Sequence, residues 1–339
     1  MDIKNMIKTL SVANGVSGAE KDVADVATSL LKDFSVVKTS PLGDVIATVI
    51  EAKENKKHFL LDAHIDSIGM VVRYIDDKGF IHVDSVGGID RRTLPTAQVT
   101  VWGEKKLTGF VCSTPPHLQK DDSVPEIDKI YIDIGYTKED AQKFVKPGCR
   151  ITLDHSPVDL IGGRMTGSFM DDRCGCAAVI MAAKMISERK ADCGLTVVLS
   201  TREETGGEGA AVSSYAVKPT HAIAVDVSFG TSPDCNPDKC SELGSGAMIC
   251  TSPCLSSEMT NGLIKTAKEQ NIPYTIEVCG GKTNTNADDI TVSGYGVKTA
   301  LVSIPLKYMH MPVETLDVND VEAVANLICE YVCEEASKQ

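Results

Sequence analysis

The sequence lacks the features that would place the protein at a membrane, in a secretory pathway or on nucleic acid. It contains no apolar run long enough to span a bilayer, and its first ten residues alternate charged and apolar side chains, unlike a signal peptide. Basic residues are scarce, with 34 Lys and Arg against 47 Asp and Glu, and the net charge of −13 argues against nucleic acid or an anionic membrane as partner. We therefore expect a soluble, cytoplasmic protein.

Motifs that identify common sites are also missing. The 12 cysteines are scattered, and the closely spaced Cys174 and Cys176 lack a second pair at zinc-finger spacing, so we expect reduced thiols and interpret these two as core residues. The sequence has no Gly-x-Ser-x-Gly elbow, no His-Glu-x-x-His helix and no P-loop. Serine-hydrolase, zincin and nucleotide-phosphate chemistry are therefore poorly supported.

Two kinds of pattern divide the chain. Helix-like and strand-like segments alternate before residue 69 and again after Gly167, which predicts an α/β fold with a mostly parallel sheet flanked by helices. Between them, six short β-type runs separated by turns predict a β-barrel-like or sandwich-like unit. We therefore expect a discontinuous domain of residues 1–68 and 166–339, interrupted by a β-rich domain of residues 69–165.

An adjacent pair of acids, Asp171 and Asp172, precedes residues 176–186, whose apolar pattern predicts a helix that is buried nearly all round. Acids seldom lie against a buried helix without a charged partner. One interpretation is a helix cap, because Asp at a helix start accepts backbone N–H bonds. The other is a metal ligand, and this stretch alone does not decide between them.

Further acids and histidines follow the ends of predicted strands. In an open α/β sheet, ligands bind at the carboxyl ends of the strands, so we expect these side chains to share one site. The adjacent Glu203 and Glu204 follow one such strand. The set with nitrogen and carboxylate donors of the kind zinc accepts is His64, Asp171, Glu204, Asp226 and His310.

The number and charge of these donors suit two ions. Five protein ligands provide three donors to each ion when one carboxylate bridges, and three carboxylates with a bridging hydroxide balance two divalent cations. Neighbouring side chains at a strand end tend to point in different directions, so one of Glu203 and Glu204 should bind metal while the other acts as general base. Asp66 can accept the second ring N–H of His64 and fix its tautomer.

Five ordered segments resemble the glutamyl, deblocking and tetrahedral aminopeptidase family, and the likeness runs nearly the full length of the chain. They are Asp-Ala-His-Ile-Asp (62–66), Met-Asp-Asp-Arg (170–173), Thr-Arg-Glu-Glu-Thr-Gly (201–206), Ala-Val-Asp-Val-Ser-Phe-Gly (224–230) and residues 304–314. The resemblance implies a zinc-peptidase-like catalytic domain and a dinuclear metallo-aminopeptidase. Its metal-bound hydroxide would remove N-terminal residues from peptides with free N-termini.

The same resemblance implies a role for each candidate residue. One ion would be held by His64 and Asp226, the other by Glu204 and His310, with Asp171 as the bridge. Glu203 would be the general base, and Asp66 would support His64. The Asp171–Asp172 peptide would be cis.

The resemblance also implies zinc, cobalt or manganese as the ions, a dimerising role for the inserted domain, and a tetrahedral homododecamer. Two positions depart from the family pattern: Ser67 stands where relatives commonly have an acid, and Asn286 replaces an Asp in a segment near the substrate pocket. Some relatives have been labelled endoglucanases, but the acids that can be placed here are used by metal.

Two other functions remain open at this point. One is a related two-metal amidase, either a deacylase or a carboxypeptidase, on the same scaffold. The other is a metal-binding scaffold without catalysis, against which a complete ligand set with a spare Glu203 argues.

Overall fold

An eight-stranded sheet forms the centre of the computed structural model, which describes residues 2–118, 123–153, 155–233 and 235–338. In spatial order its strands are β1 (Val36–Thr39), β2 (Val45–Ile50), β12 (Gly194–Ser200), β3 (His58–His64), β13 (His221–Phe229), β16 (Lys298–Leu306), β14 (Ala247–Thr251) and β15 (Tyr274–Val278). The four strands from β12 to β16 are mutually parallel, as predicted. The antiparallel β1 and β2 lie on one side, and β14 runs antiparallel to β16 on the other, so the whole sheet is mixed.

Helices cover both faces of this sheet. They are α1 (Ile3–Ser11), α2 (Lys21–Leu31), α4 (Met170–Glu188), α5 (Glu208–Val217), α6 (Ser257–Glu269), α7 (Asn286–Thr291) and α8 (Val318–Ser337). Alternate residues of a strand point to opposite faces, and accordingly Phe59 and Leu61 pack in one hydrophobic cluster with α4 while Leu60 packs in another with α5 and α7. Across the described residues, we find no helix with both the length and the hydropathy needed to cross a membrane.

A closed six-stranded barrel interrupts the α/β region. Its strands, in order around the barrel, are β4 (Gly69–Ile75), β5 (Ile81–Val86), β8 (Tyr131–Asp133), β7 (Lys106–Val111), β6 (Gln98–Trp102) and β9 (Arg150–Leu153), with the short helix α3 (Lys138–Ala141) between β8 and β9. Each strand coincides with one predicted β-type run. The barrel has its own core, in which Met70, Val99, Ile132 and Ile151 are fully buried.

A small three-stranded sheet connects the start of α4 to the C-terminal part of the chain, and the sequence pattern did not predict it. Its strands are β10 (Val158–Asp159), β11 (Arg164–Gly167) and β17 (Glu314–Asp317), and in the register of β11 with β17 Gly167 lies opposite Glu314. These strands are two to four residues long and partly polar, so they lack the alternation that indicates a strand. The sheet brings the segment before Asp171 beside the segment after His310.

Candidate metal centre

The predicted site residues meet at one edge of the central sheet. His64 is the last residue of β3 and lies opposite Ser200, the last residue of β12, so Glu203 and Glu204 follow β12 at the same edge. Asp226 lies in the neighbouring β13, and His310 follows β16 after a short turn. The parallel direction of these strands therefore gathers side chains that are far apart in sequence.

The first cluster consists of His64, Asp171 and Asp226, all buried. The Nε2 atom of His64 is 3.1 Å from Oδ1 of Asp171 and 3.8 Å from Oδ1 of Asp226. One ring nitrogen therefore faces two carboxylate oxygens in a water-poor pocket.

The second cluster consists of Asp171, Glu204 and His310. The Nε2 atom of His310 is 3.4 Å from Oδ2 of Asp171 and 3.4 Å from Oε2 of Glu204. Asp171 thus belongs to both clusters and directs a different oxygen to each histidine. The sequence pattern alone did not decide whether Asp171 is a helix cap or a metal ligand. In the structure it lies at the centre of the site.

The spacing of these donor atoms fits divalent cations such as zinc. Two donor atoms that are each about 2.1 Å from a tetrahedral ion lie about 3.4 Å apart. The nitrogen–oxygen distances in the clusters run from 3.1 to 3.8 Å around this value. Imidazole and carboxylate are also the donors that zinc, manganese and similar ions accept. The residues present therefore fit a pair of ions that share Asp171.

Each histidine has an acceptor beside its other ring nitrogen. Oδ1 of the buried Asp66 is 3.4 Å from Nδ1 of His64, and the backbone oxygen of Gly88 is 3.2 Å from Nδ1 of His310. A carbonyl oxygen only accepts hydrogen bonds, so His310 donates from Nδ1 and its Nε2 is free to bind a cation. Gly88 follows β5, so the inserted segment contributes directly to the site.

Asp66 also organises the loop that carries the two glutamates. Its Oδ1 accepts a hydrogen bond from the backbone N of Glu203 at 3.0 Å, and its Oδ2 accepts from the backbone N of Glu204 at 3.2 Å. The hydroxyl of Ser17 donates to the same Oδ2 at 2.6 Å. This buried carboxylate therefore lies against a histidine of the first cluster and holds the backbone of Glu204 in the second.

Glu203 lies beside the clusters without belonging to either. It begins a single 3₁₀ turn, Glu203–Thr205, that follows Arg202 in a left-handed conformation with φ of 62°. Glu203 is half-buried, and the metal-type clusters found among the described residues include Glu204 instead. Burial raises the pKa of Glu203, the charge of His64 lowers it, and the charges of Asp171 and Asp66 raise it further. A carboxyl group with a raised pKa near the clusters is suited to proton transfer.

The clusters concentrate negative charge in a poorly solvated region. Burial, followed by the charge of Asp171, raises the pKa of Glu204 to about 8, and burial raises the pKa of Asp226 well above its usual range. Burial opposes ionisation of Asp171 too, but its contacts with His310 and His64 outweigh that effect and lower its pKa. The contact with Asp171 in turn raises the pKa of His310 to about 9. Bound cations would offset the repulsion among these acids.

Asp172 and Asn286 are buried next to the clusters. Oδ1 of Asp172 accepts a hydrogen bond from the backbone N of Gly175 at 3.0 Å, so this acid caps the regular part of α4, and the Asp171–Asp172 peptide is cis. Nδ2 of Asn286 donates to Oδ2 of Asp62 at 2.9 Å and to the hydroxyl of Ser200 at 2.8 Å. Asn286 is only 3% exposed, and these bonds connect the first residue of α7 to the strands β3 and β12.

Sequence reasoning gave no role to Glu314. This buried residue accepts hydrogen bonds from the backbone N atoms of Met170, Asp171 and His310. The signal that could have identified Glu314 is its position four residues after His310, within the last segment that resembles the family. The strand that aims it at α4 is one of the short strands that the pattern did not predict.

Comparison with known proteins identifies the family to which this fold belongs. A sequence model of the family described as M42 glutamyl aminopeptidase matches residues 43–327. The lysyl aminopeptidase of Pyrococcus furiosus is 33% identical over 334 residues, which cover 95% of this chain and 94% of that protein. The fold is that of a peptidase class whose members are metal-dependent.

Solved structures agree with the sequence match. The aminopeptidase APDkam598 from Desulfurococcus kamchatkensis superposes with a TM-score of 0.92 at 28% identity, over 99% of this chain and 97% of that chain. The TET1 peptidase of Pyrococcus horikoshii, described as able to assemble into a tetrahedron or a large octahedral shell, gives a TM-score of 0.86 at 30% identity, over 97% and 98%. The chain belongs to the M42 glutamyl aminopeptidase family and is a peptide hydrolase, which confirms the resemblance found in its sequence.

Proposed function

We propose that the protein is a dinuclear metal-dependent aminopeptidase. The observation that carries this proposal is the position of Asp171, whose two carboxylate oxygens face two different histidines in two clusters of potential ligands. In this proposal His64 and Asp226 hold one ion, Glu204 and His310 hold the other, and Asp171 bridges them. Zinc, cobalt or manganese, when bound, would polarise the scissile carbonyl and lower the pKa of water.

Glu203 is the proposed general base. Its side chain is half-buried beside the clusters, where burial raises its pKa toward the range in which a carboxylate accepts and returns a proton efficiently. It would take a proton from the attacking water and deliver it to the leaving amine. Asp66 is the proposed positioning residue, because it lies against Nδ1 of His64 and holds the backbone N atoms of Glu203 and Glu204.

The proposed substrates are peptides with free N-termini. An aminopeptidase activity is supported by the lysyl aminopeptidase relative and by the family description. The direct test compares a peptide with a free N-terminus and the same peptide acetylated there, each with and without chelation. An aminopeptidase releases the first residue of the free peptide only, and chelation abolishes this activity until metal is added back.

The alternatives give different results in the same assay. A deacylase would remove the acetyl group, and a carboxypeptidase would shorten both peptides from the C-terminus. A scaffold without catalysis would release nothing from either peptide under any metal condition. Each of these outcomes would contradict the proposed function.

We further propose that residues 69–165 form a dimerisation domain inserted into a catalytic domain of residues 1–68 and 166–339, and that twelve chains assemble into a tetrahedral particle. The tetrahedron described for the Pyrococcus horikoshii relative supports this proposal. Sedimentation of the purified protein tests it, since twelve chains of 36.2 kDa differ greatly in mass from a monomer or dimer.

A further inference from the structure

Glu314 connects the two loops that carry the shared ligand and one of the histidines. Its Oε2 accepts hydrogen bonds from the backbone N atoms of Met170 at 2.7 Å and Asp171 at 3.2 Å. Its Oε1 accepts from the backbone N of His310 at 2.9 Å. The residue is 3% exposed, so water contributes little to these interactions. One carboxylate therefore holds main-chain atoms of two ligands that are 139 positions apart in the sequence.

Both loops contain a left-handed residue where Glu314 binds them. Phe169, next to Met170, has φ of 64°, and His310 itself has φ of 63°. Side-chain-bearing residues seldom adopt this conformation, and it persists where surrounding contacts enforce it. The three backbone hydrogen bonds that Glu314 accepts are contacts of this kind, since they fix main-chain atoms at or beside both left-handed residues.

The fold explains how one side chain reaches both loops. Glu314 is the first residue of β17 and lies opposite Gly167, the last residue of β11. The chain runs from the end of β11 to Asp171, and from His310 to the start of β17. Both loops therefore lie at the same end of the β11–β17 pair. Glu314 stands between them and belongs to neither cluster of potential ligand atoms.

We propose that Glu314 is a positioning residue that sets the distance between Asp171 and His310 and so holds the second ion-binding cluster in a binding geometry. The inference rests on the proposed two-metal function. In this proposal Glu314 contacts neither metal nor substrate. Its effect is transmitted through the backbone of Asp171 and His310.

The test is Zn²⁺ binding to the full-length metal-free protein, measured by competition with a chromophoric chelator. The variant is Glu314→Gln, whose amide has one acceptor oxygen and would present N–H donors to one of the loops. We expect one of the two zinc affinities, that of the second cluster, to fall about 10- to 100-fold, which is typical when a residue that orients a metal ligand is lost. With saturating metal, kcat should fall while KM changes little.

Asp320→Asn is the matched control. Asp320 is also buried and accepts two backbone hydrogen bonds, from Gly244 and Gly246, neither of which belongs to the clusters. It should keep both zinc affinities. A folded Glu314→Gln protein that binds two zinc ions with wild-type affinity would overturn the inference.

Two further measurements test the inference if the Glu314→Gln protein does not fold. Glu314→Asp keeps the carboxyl group but is one methylene shorter, so it should reach only one loop and lose the same zinc affinity; wild-type affinity here would contradict the role. Hydrogen exchange on the wild-type metal-free protein should show protected amides at Asp171 and His310, and rapid exchange would also contradict it. If the wild-type protein binds fewer than two zinc ions, the proposed function fails and not merely this inference.

Discussion

Nδ1 of His310 donates a hydrogen bond to the backbone oxygen of Gly88 at 3.2 Å, across the junction between the central α/β region and the inserted barrel segment. A Cβ atom at position 88 would lie 2.9 Å from that same Nδ1, closer than real Cβ contacts allow. The absence of a side chain at Gly88 is therefore a requirement of the histidine's position.

Gly88→Ala tests this relationship. The added methyl group should displace His310 and weaken binding of one ion by about 10-fold, the lower end of the effect of disturbing a ligand's support. Gly280→Ala is the control, because nothing lies within 4 Å of a Cβ built there. Titration of each metal-free protein with Zn²⁺ gives the affinities, and equal affinities for the two variants would contradict the requirement.

Glu203→Gln should separate metal binding from catalysis. The amide keeps the size of the side chain but cannot accept a proton from water, so we expect kcat to fall about 10²- to 10⁴-fold. Metal content, measured by elemental analysis, should remain that of the wild type. Glu269→Gln, at an exposed position at the end of α6, should leave both quantities unchanged. Ordinary turnover by Glu203→Gln would show that another group is the base.

Asp66→Asn should impair the site through His64 and the glutamate loop. An amide cannot accept all the hydrogen bonds that the carboxylate receives from Ser17, Glu203 and Glu204. We expect kcat to fall about 10- to 100-fold. Ser17→Ala removes only one of these bonds and should cost much less. If the two variants lost activity equally, the link from Asp66 to His64 would not be the important one.

Removal of metal should lower the thermal stability of the protein. A ligand present at about 100 times its dissociation constant stabilises the folded state by about 2.7 kcal/mol. Chelation should therefore reduce Tm in calorimetry, and added zinc should restore it. Asp171→Asn should show a much smaller response to zinc, because it weakens the residue shared by both clusters. A zinc response of wild-type size in this variant would argue against a bridging role.

Asp320 should make stability depend on pH in a region remote from the clusters. Burial outweighs the hydrogen bonds from Gly244 and Gly246 and raises the pKa of Asp320 to about 6. An unfolded chain has this pKa near about 3.9, so between about pH 4 and pH 6 the folded protein holds a proton that the unfolded chain has lost. The resulting contribution to the free energy of unfolding, up to about 3 kcal/mol, is present below pH 4 and is lost as the pH rises through 6.

Denaturant unfolding of the metal-free wild type and of Asp320→Asn at several pH values from 4 to 7 measures this effect. The advantage of the wild type should be greatest at the acid end and shrink toward neutral pH. An advantage that grows with pH would mean that the buried carboxylate is stabilised in its ionised form.

Much of this architecture could be predicted from sequence because its signals are local. The barrel strands alternate in polarity between turns, and α4 is apolar on every side, so both follow from short-range periodicity. The gathering of His64, Asp226 and Glu204 follows from one general property, the shared edge of parallel strands.

The remainder depends on contacts between distant segments. The strand β17 is recognised only through its pairing with β11, and the role of Glu314 depends on that pairing. Gly88 likewise gains its importance from a histidine more than 200 positions later. No local pattern encodes such relationships, and the sharing of Asp171 between two clusters was indicated by the family resemblance and not by a local pattern.

Asp171 projects from the beginning of α4, whose residues Cys174, Ala178 and Ala182 are completely buried. The residue shared by both clusters is thus anchored to a closely packed helix, where changes of even one methylene are costly. The loops that carry Glu204 and His310 are held instead by backbone hydrogen bonds to Asp66 and Glu314. A substitution in one of these loops would therefore displace mainly its own ligand, whereas a change inside α4 would displace the residue that both clusters share.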